Sequence, residues 1–231
     1  MFVYNNEAVR PETVRNIRIW GYNDMKMLKL LPAFIFEAAL LVTFYFYPRH
    51  VLYVLLAFYI FLAVYFHKQF SLKEFARNFQ DLHGYWIPVL LTTVGLVACY
   101  LIRELIAIPL PGISEGVTSL WTSGTLDLVI LAITRIVIGP IGKELLFRGA
   151  MISFDNKQRM ILDALVGALL FSLVTVHTPL GIIGMMLIQL PIIVSYIKNR
   201  NIYVAISVSF VWAMWQNALY VGAWLFRSTL D

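Results

Sequence analysis

The chain has 231 residues, of which 60% are hydrophobic and only 13% charged, about half the charged fraction of a soluble domain. That balance excludes a soluble globular enzyme and leaves room for about seven membrane crossings of roughly 20 residues each, with no sizeable soluble domain beside them. The net charge of +5 is distributed over helix ends, which argues for membrane topology and against nucleic acid, and the single cysteine, Cys99, excludes an intrachain disulfide and a cysteine-rich metal site.

Residues 1–26 form a polar N-terminal segment with no short apolar stretch before a small-residue cleavage site, so no cleavable signal is expected. Within it, residues 11–20 place Val14, Ile17 and Trp20 near one face, with Arg10, Arg15 and Arg18 around it, an amphipathic pattern suited to an anionic membrane surface. Residues 27–231 form a single membrane domain. Its apolar runs cover about 28–47, 51–66, 85–108, 126–152, 160–176, 180–197 and 202–226. Runs this long and this uniformly apolar predict helices, because an isolated strand cannot satisfy its backbone in hydrocarbon. The fold class is therefore an all-α, polytopic bundle of seven to eight spans. An eighth arises if the fourth run breaks at Gly139-Pro140.

Between the second and third runs, Ser71-Leu-Lys-Glu74 is a capping box. Leu72, Phe75, Phe79 and Leu82 follow at helical spacing before Gly84 and suggest a second interfacial helix. The cations orient the bundle. Lys26 and Lys29 precede the first run, Lys68, Lys73 and Arg77 follow the second, Lys157 and Arg159 follow the fourth, and Lys198 and Arg200 follow the sixth. The opposite side carries only Arg49 and Arg227, so the N-terminus is expected in the cytoplasm and the C-terminus outside. No internal repeat or low-complexity linker divides the domain.

Charge inside the spans is costly and marks function or paired structure. Residues 138–150, I-G-P-I-G-K-E-L-L-F-R-G-A, hold Lys143, Glu144 and Arg148. Glu144 and Arg148 are four apart and share a helix face in the favourable order, whereas Lys143 points about 100° away. Adjacent Arg103 and Glu104 are expected to diverge and to find separate partners, and Arg135 to find one on another helix. Asp163 is the expected N-cap of the fifth span, which sets His177 14 residues inside it. On that count Glu144, His177 and Asn217 share one level of the bundle, around a polar cavity that Arg148 also lines. Gly167, Ala168, Gly181 and Gly184 allow close helix approach around it, and the loop at 109–124, with Trp121, is placed to cover its mouth.

Three stretches taken together resemble the CPBP (CAAX protease and bacteriocin-processing, or Abi) intramembrane endopeptidases. G-P-I-G-K-E-L-L-F-R-G at 139–149 is similar to the first signature, EExxxR; L-V-T-V-H at 173–177 to the second, FxxxH; and A-M-W-Q-N at 213–217 to the third, HxxxN. The similarity spans about 126–226. It implies that the first Glu and the second-motif His activate a water, and that the third-motif His and Asn stabilise an oxyanion. Mapped onto this chain, the catalytic set is Glu144, Arg148, His177 and Asn217. Lys143 stands at the first Glu and Ala213 at the third-motif His, while Leu173 replaces the Phe. Ala213 cannot donate to an oxyanion, a loss that typically costs about 10² to 10³ in rate, and Lys143 reverses a charge.

The resemblance thus implies a protein of the bacterial cytoplasmic membrane that is catalytically impaired and binds, scaffolds or regulates another membrane protein. The competing expectation is an active intramembrane endopeptidase that cleaves a peptide or transmembrane segment for maturation or bacteriocin immunity. Its Lys143 would then serve as electrophile if both 143 and 144 turned into one cavity. The partners expected are the lipid bilayer and a membrane protein or peptide, without nucleic acid. No cofactor and no metal are expected: the chain lacks HExxH, and His50, His67 and His83 all fall in its first half. A transporter would show paired halves with matching broken helices, which this sequence lacks.

Overall fold

The computed structural model describes residues 25–115 and 124–228; the amphipathic stretch at 11–20 and Trp121 lie outside the described residues. The described chain is an all-α bundle. Its long helices are α1 (Met25–Phe46), α2 (Val51–Tyr65), α4 (Ile87–Ala107), α7 (Lys157–Thr175), α8 (Pro179–Asn199) and α9 (Ile202–Ser228), with a continuous rod, Thr125–Ala150, between α4 and α7. Six helical segments among the described residues are long and apolar enough to cross a membrane, and α9, at 27 residues, adds about 40 Å of helix. Apolar side chains such as Leu90, Leu91, Leu105 and Val194 are more than half exposed on the outside of the bundle, where lipid rather than water is the compatible solvent.

The rod does not break at Gly139-Pro140. It runs as α5 (Thr125–Ala132), a π-helical turn (Ile133–Ile138), α6 (Gly139–Glu144) and a second π-helical turn (Leu145–Ala150). Pro140 lacks an N–H, and its ring collides with the carbonyl four residues back in a regular helix. The wide turn just ahead of it relieves that collision without interrupting the rod. Gly139 makes the local geometry possible: a Cβ there would lie 2.6 Å from the Thr134 carbonyl and 3.1 Å from the Tyr59 ring.

Two further expectations are corrected. Asp163 does not cap α7. Asn156 does, accepting from the Gln158 N–H at 2.9 Å, so the helix begins seven residues earlier, at Lys157. Asp163 instead accepts from the Ser153 N–H of the connector at 3.0 Å, because Lys157, Gln158 and Arg159 are good helix formers and carry the helix back to the first available cap. Arg103 and Glu104 do not diverge either. The long Arg103 side chain folds back, and its Nη2 meets Glu104 Oε1 at 2.5 Å.

Ser71 caps α3 (Leu72–Asn78) through the Glu74 N–H. The Glu74 carboxylate does not return the bond to Ser71. The Tyr203 hydroxyl takes the Ser71 N–H at 3.1 Å and donates to Glu74 at 2.9 Å, tying α3 to the start of α9. Leu72 and Leu82 stay 73% and 61% exposed beside Lys73 and Arg77, as a helix at a membrane surface requires.

Close approach concentrates where small residues lie. A Cβ on Gly167 would stand 2.9 Å from the Phe147 carbonyl, Gly95 packs against Pro191, and Gly184 faces the Ile113 carbonyl of the α4–α5 connector. That connector also accepts a bond from Thr178 through the Glu115 carbonyl. Its first half therefore lies on the N-terminal turn of α8.

Candidate functional site

The wide turn at Leu145–Ala150 begins one residue after Glu144 and contains Arg148, so the i,i+4 pair sits at a change of helical pitch. Such turns recur at functional sites because they re-aim side chains that a regular helix would hold elsewhere. Glu144 is 0% and Arg148 1% exposed. Arg148 Nε approaches Glu144 Oε2 at 3.2 Å, an ion pair whose angle falls short of a hydrogen bond. The other oxygen, Glu144 Oε1, accepts from the Ser209 hydroxyl of α9 at 2.6 Å. The Arg148 guanidinium donates to Gln189 of α8 and lies over the Phe171 ring of α7, 5.2 Å from its centroid. One buried cluster therefore joins the rod to three later helices.

Lys143 emerges about 100° around the helix from Glu144, on the side of α2, and reaches the same Phe171 ring that Arg148 covers. Its Nζ lies 5.4 Å from the Tyr59 ring centroid and 4.9 Å from that of Phe171. Phe58, Tyr59, Phe147, Phe171, Val174 and Thr175 close around it in a crevice with no room for a water molecule. Lys143 and Glu144 do not turn into one cavity.

His177 falls beyond the end of α7, in the two-residue connector before the Thr178 cap of α8. Its ring is half-buried against Phe44 and Tyr45 of α1, with centroids 4.9 and 5.7 Å away. Burial holds its imidazole below the usual histidine range. Asn217 is buried on α9 and donates back to the Ala213 carbonyl at 2.7 Å. It lies eight residues beyond Ser209, about 12 Å along the axis. The structure brings Glu144 and Arg148 together and joins neither of them to His177 or Asn217. Counting α7 from Asp163 produced the expected common level; with the helix starting at Lys157, that count no longer applies.

Gln189 and Ser209 complete the cluster, and neither stood out in the sequence. The available signal was chemical: each is a polar residue in a long apolar helix, Gln189 buried and Ser209 partly so, where a polar side chain seeks a hydrogen-bond partner. Among the described residues no group of three or more His, Cys, Asp or Glu side chains is placed to hold a metal ion.

A polytopic helical membrane protein with a buried Glu–Arg pair at a π-helical turn, and a histidine after the next helix, is the class that fold and site define. Residues 125–215 match the family model described as type II CAAX prenyl endopeptidase Rce1-like. This stretch is thus similar to Rce1-like CAAX proteases of the CPBP family, over less than half the length of a membrane protein. The matched segment contains Lys143, Glu144, Arg148, His177 and Ala213 and ends two residues before Asn217. None of the curated proteins and none of the solved structures compared with the chain matches it.

Proposed function

We propose that this protein acts by binding, as a scaffold or regulator of another membrane protein, and that it does not hydrolyse peptides efficiently. One observation carries the reading. At the position where the resemblance expects a water-activating Glu stands Lys143, enclosed by aromatic rings in a space too small for water. Hydrolysis needs a base within hydrogen-bond reach of a water, and donors aimed at the oxyanion. Glu144 is engaged by Ser209 and Arg148, and Ala213 offers no side-chain donor. The same cluster serves a binding protein well, because it holds α8 and α9 on the rod and gives any partner a fixed surface. The distribution of Lys and Arg supports a cytoplasmic N-terminus, and the resemblance supports a bacterial cytoplasmic membrane.

The test is co-purification in mild detergent with the wild type, Glu144→Gln and His177→Ala, followed by mass spectrometry of the captured membrane proteins. An intact partner held equally by all three is the expected result. A partner cut by the wild type and left whole by both variants overturns the reading in favour of an active peptidase. Glu144→Gln is the informative substitution because it keeps the side-chain shape and the bond from Ser209.

A further inference from the structure

At the end of the bundle where α3, the rod–α7 connector and the α8–α9 connector meet, the acids are engaged by neutral donors. Glu74 accepts from the Tyr203 hydroxyl, Asp81 from the Gly84 N–H, and Asp155 and Asp163 from the hydroxyl and the N–H of Ser153. Arg77, Lys198 and Arg200 are exposed at the same end, and none of them forms an ion pair with a described carboxylate. Asn201 gathers them. Its Nδ2 donates to Asn78 Oδ1 at 2.8 Å, which draws the last turn of α3 to the α8–α9 connector, and its Oδ1 accepts from the Tyr203 N–H at 3.0 Å at the start of α9. Arg200 is held there at a conformational cost. It ends α8 with φ 53°, the one positive φ of a non-glycine residue among the described residues, in a position that Gly or Asn ordinarily fills. Its guanidinium lies over the Phe154 ring, 4.8 Å from the centroid, and Phe154 packs on Tyr196 with centroids 5.7 Å apart. Leu72, Phe79 and Leu82 stay exposed along α3 and just past it.

We propose that this corner binds the phosphate of an anionic phospholipid, received by Arg200, Arg77 and Lys198. Charge complementarity selects the headgroup: with the neighbouring acids bonded inside the fold, the three cations are left uncompensated, and like charges gathered on one corner repel until an anion joins them. A guanidinium laid flat on an aromatic ring keeps its fork of N–H donors free at the edge, the geometry that suits a phosphate. The exposed apolar side chains select a lipid over a free anion. A soluble phosphate would neutralise the cations and leave Leu72, Phe79 and Leu82 uncovered, whereas a phospholipid also brings acyl chains to cover them. The left-handed Arg200 is then accounted for, because a glycine there would cap α8 with less strain and offer the phosphate nothing. The corner stands apart from the Glu144–Arg148 pair, so it serves the chain whether that pair belongs to a binding protein or to a peptidase.

The experiment titrates the full chain, in dodecylmaltoside micelles, with dioctanoyl phosphatidylglycerol and counts bound lipid by mass spectrometry of the intact complex. Saturable binding is expected, tighter than that of dioctanoyl phosphatidylcholine. Arg200→Gly and Arg77→Gln are each expected to weaken it about fivefold, the usual worth of a basic residue at an anionic lipid surface. Arg49→Gln removes the same charge from the α1–α2 connector at the other end of the bundle and is expected to leave the affinity unchanged. Arg200→Gly is also expected to melt at or above the wild-type temperature, because it relieves the left-handed cap, so its weaker binding cannot come from unfolding. A lower melting temperature for Arg200→Gly overturns the claim that the conformation is kept for binding. Equal affinity for the two lipids, equal weakening by Arg49→Gln and Arg200→Gly, or unchanged binding by Arg200→Gly overturns the site. Displacement of the lipid by an equal concentration of glycerophosphate overturns its assignment to a lipid.

Discussion

Removing one member of the Glu144–Arg148 pair is predicted to be far more damaging than removing both. Glu144→Ala leaves the Arg148 guanidinium 1% exposed with Gln189 as its remaining hydrogen-bond partner. Breaking a buried pair from one side typically costs about 3–5 kcal/mol, comparable with the roughly 2.5–3.5 kcal/mol for placing Arg at the centre of a membrane helix. The Ser209 hydroxyl also loses its acceptor, so the upper half of that range is expected. Glu144→Gln keeps an acceptor for Ser209 and the side-chain volume, and is expected to cost about 1.5–3 kcal/mol, the worth of a hydrogen bond to a charged group. Glu144→Leu combined with Arg148→Met removes both charges, and the double variant is expected to recover at least about 2 kcal/mol relative to the sum of the two single changes. Reversible unfolding in mixed detergent micelles, followed by tryptophan fluorescence, measures each corner of the cycle. Additivity of the two single changes within about 0.5 kcal/mol refutes the reasoning, because it would mean the groups do not depend on each other in the folded protein.

Other consequences are open to simpler measurements. Gly167→Ala is expected to destabilise by about 1–3 kcal/mol in the same assay, because its Cβ would press on the Phe147 carbonyl. Gly124→Ala, with nothing within 4 Å of the new methyl, is expected to be near neutral, and a similar loss at both sites would remove the packing explanation. Tyr203→Phe deletes the hydroxyl shared by Ser71 and Glu74, and is expected to raise amide exchange across α3 at least about fivefold while leaving α8 unchanged. For topology, a cysteine replacing Asn199 is expected to react with an impermeant thiol reagent only from the cytoplasmic side; reaction from outside would reverse the proposed orientation.

Much of the architecture follows from the sequence because a bilayer leaves few choices. With no water to bond to, each long apolar run has to satisfy its own backbone as a helix, so the runs at 51–66 and 202–226 became α2 and α9 within a residue or two at each end. The family resemblance was legible for a related reason: Glu144 and Arg148 at i,i+4 share a helix face wherever they stand, and the structure pairs them. Lys143 had to point away from Glu144, since one residue turns a helix by about 100°. Local rules therefore settled the elements, the face on which each charge emerges, and the residues to examine.

Local rules did not settle what those faces meet. Arg103 turned back onto Glu104 because a long side chain has several rotamers, and its surroundings choose among them. The rod passed through Gly139-Pro140 because a π-helical turn relieved the proline and Gly139 left space for the neighbouring Tyr59 ring. Asp163 lost the cap to Asn156 because helix-forming residues lay between them, and the depth assigned to His177 shifted with it. Gln189 and Ser209 joined the buried cluster only because α8 and α9 lie against the rod. The period of a helix fixes directions around its own axis, but the level at which two helices meet is set by packing over their whole length. The placement of Glu144 against Ser209, of Lys143 between two rings, and of His177 under α1 therefore belongs to the tertiary structure alone.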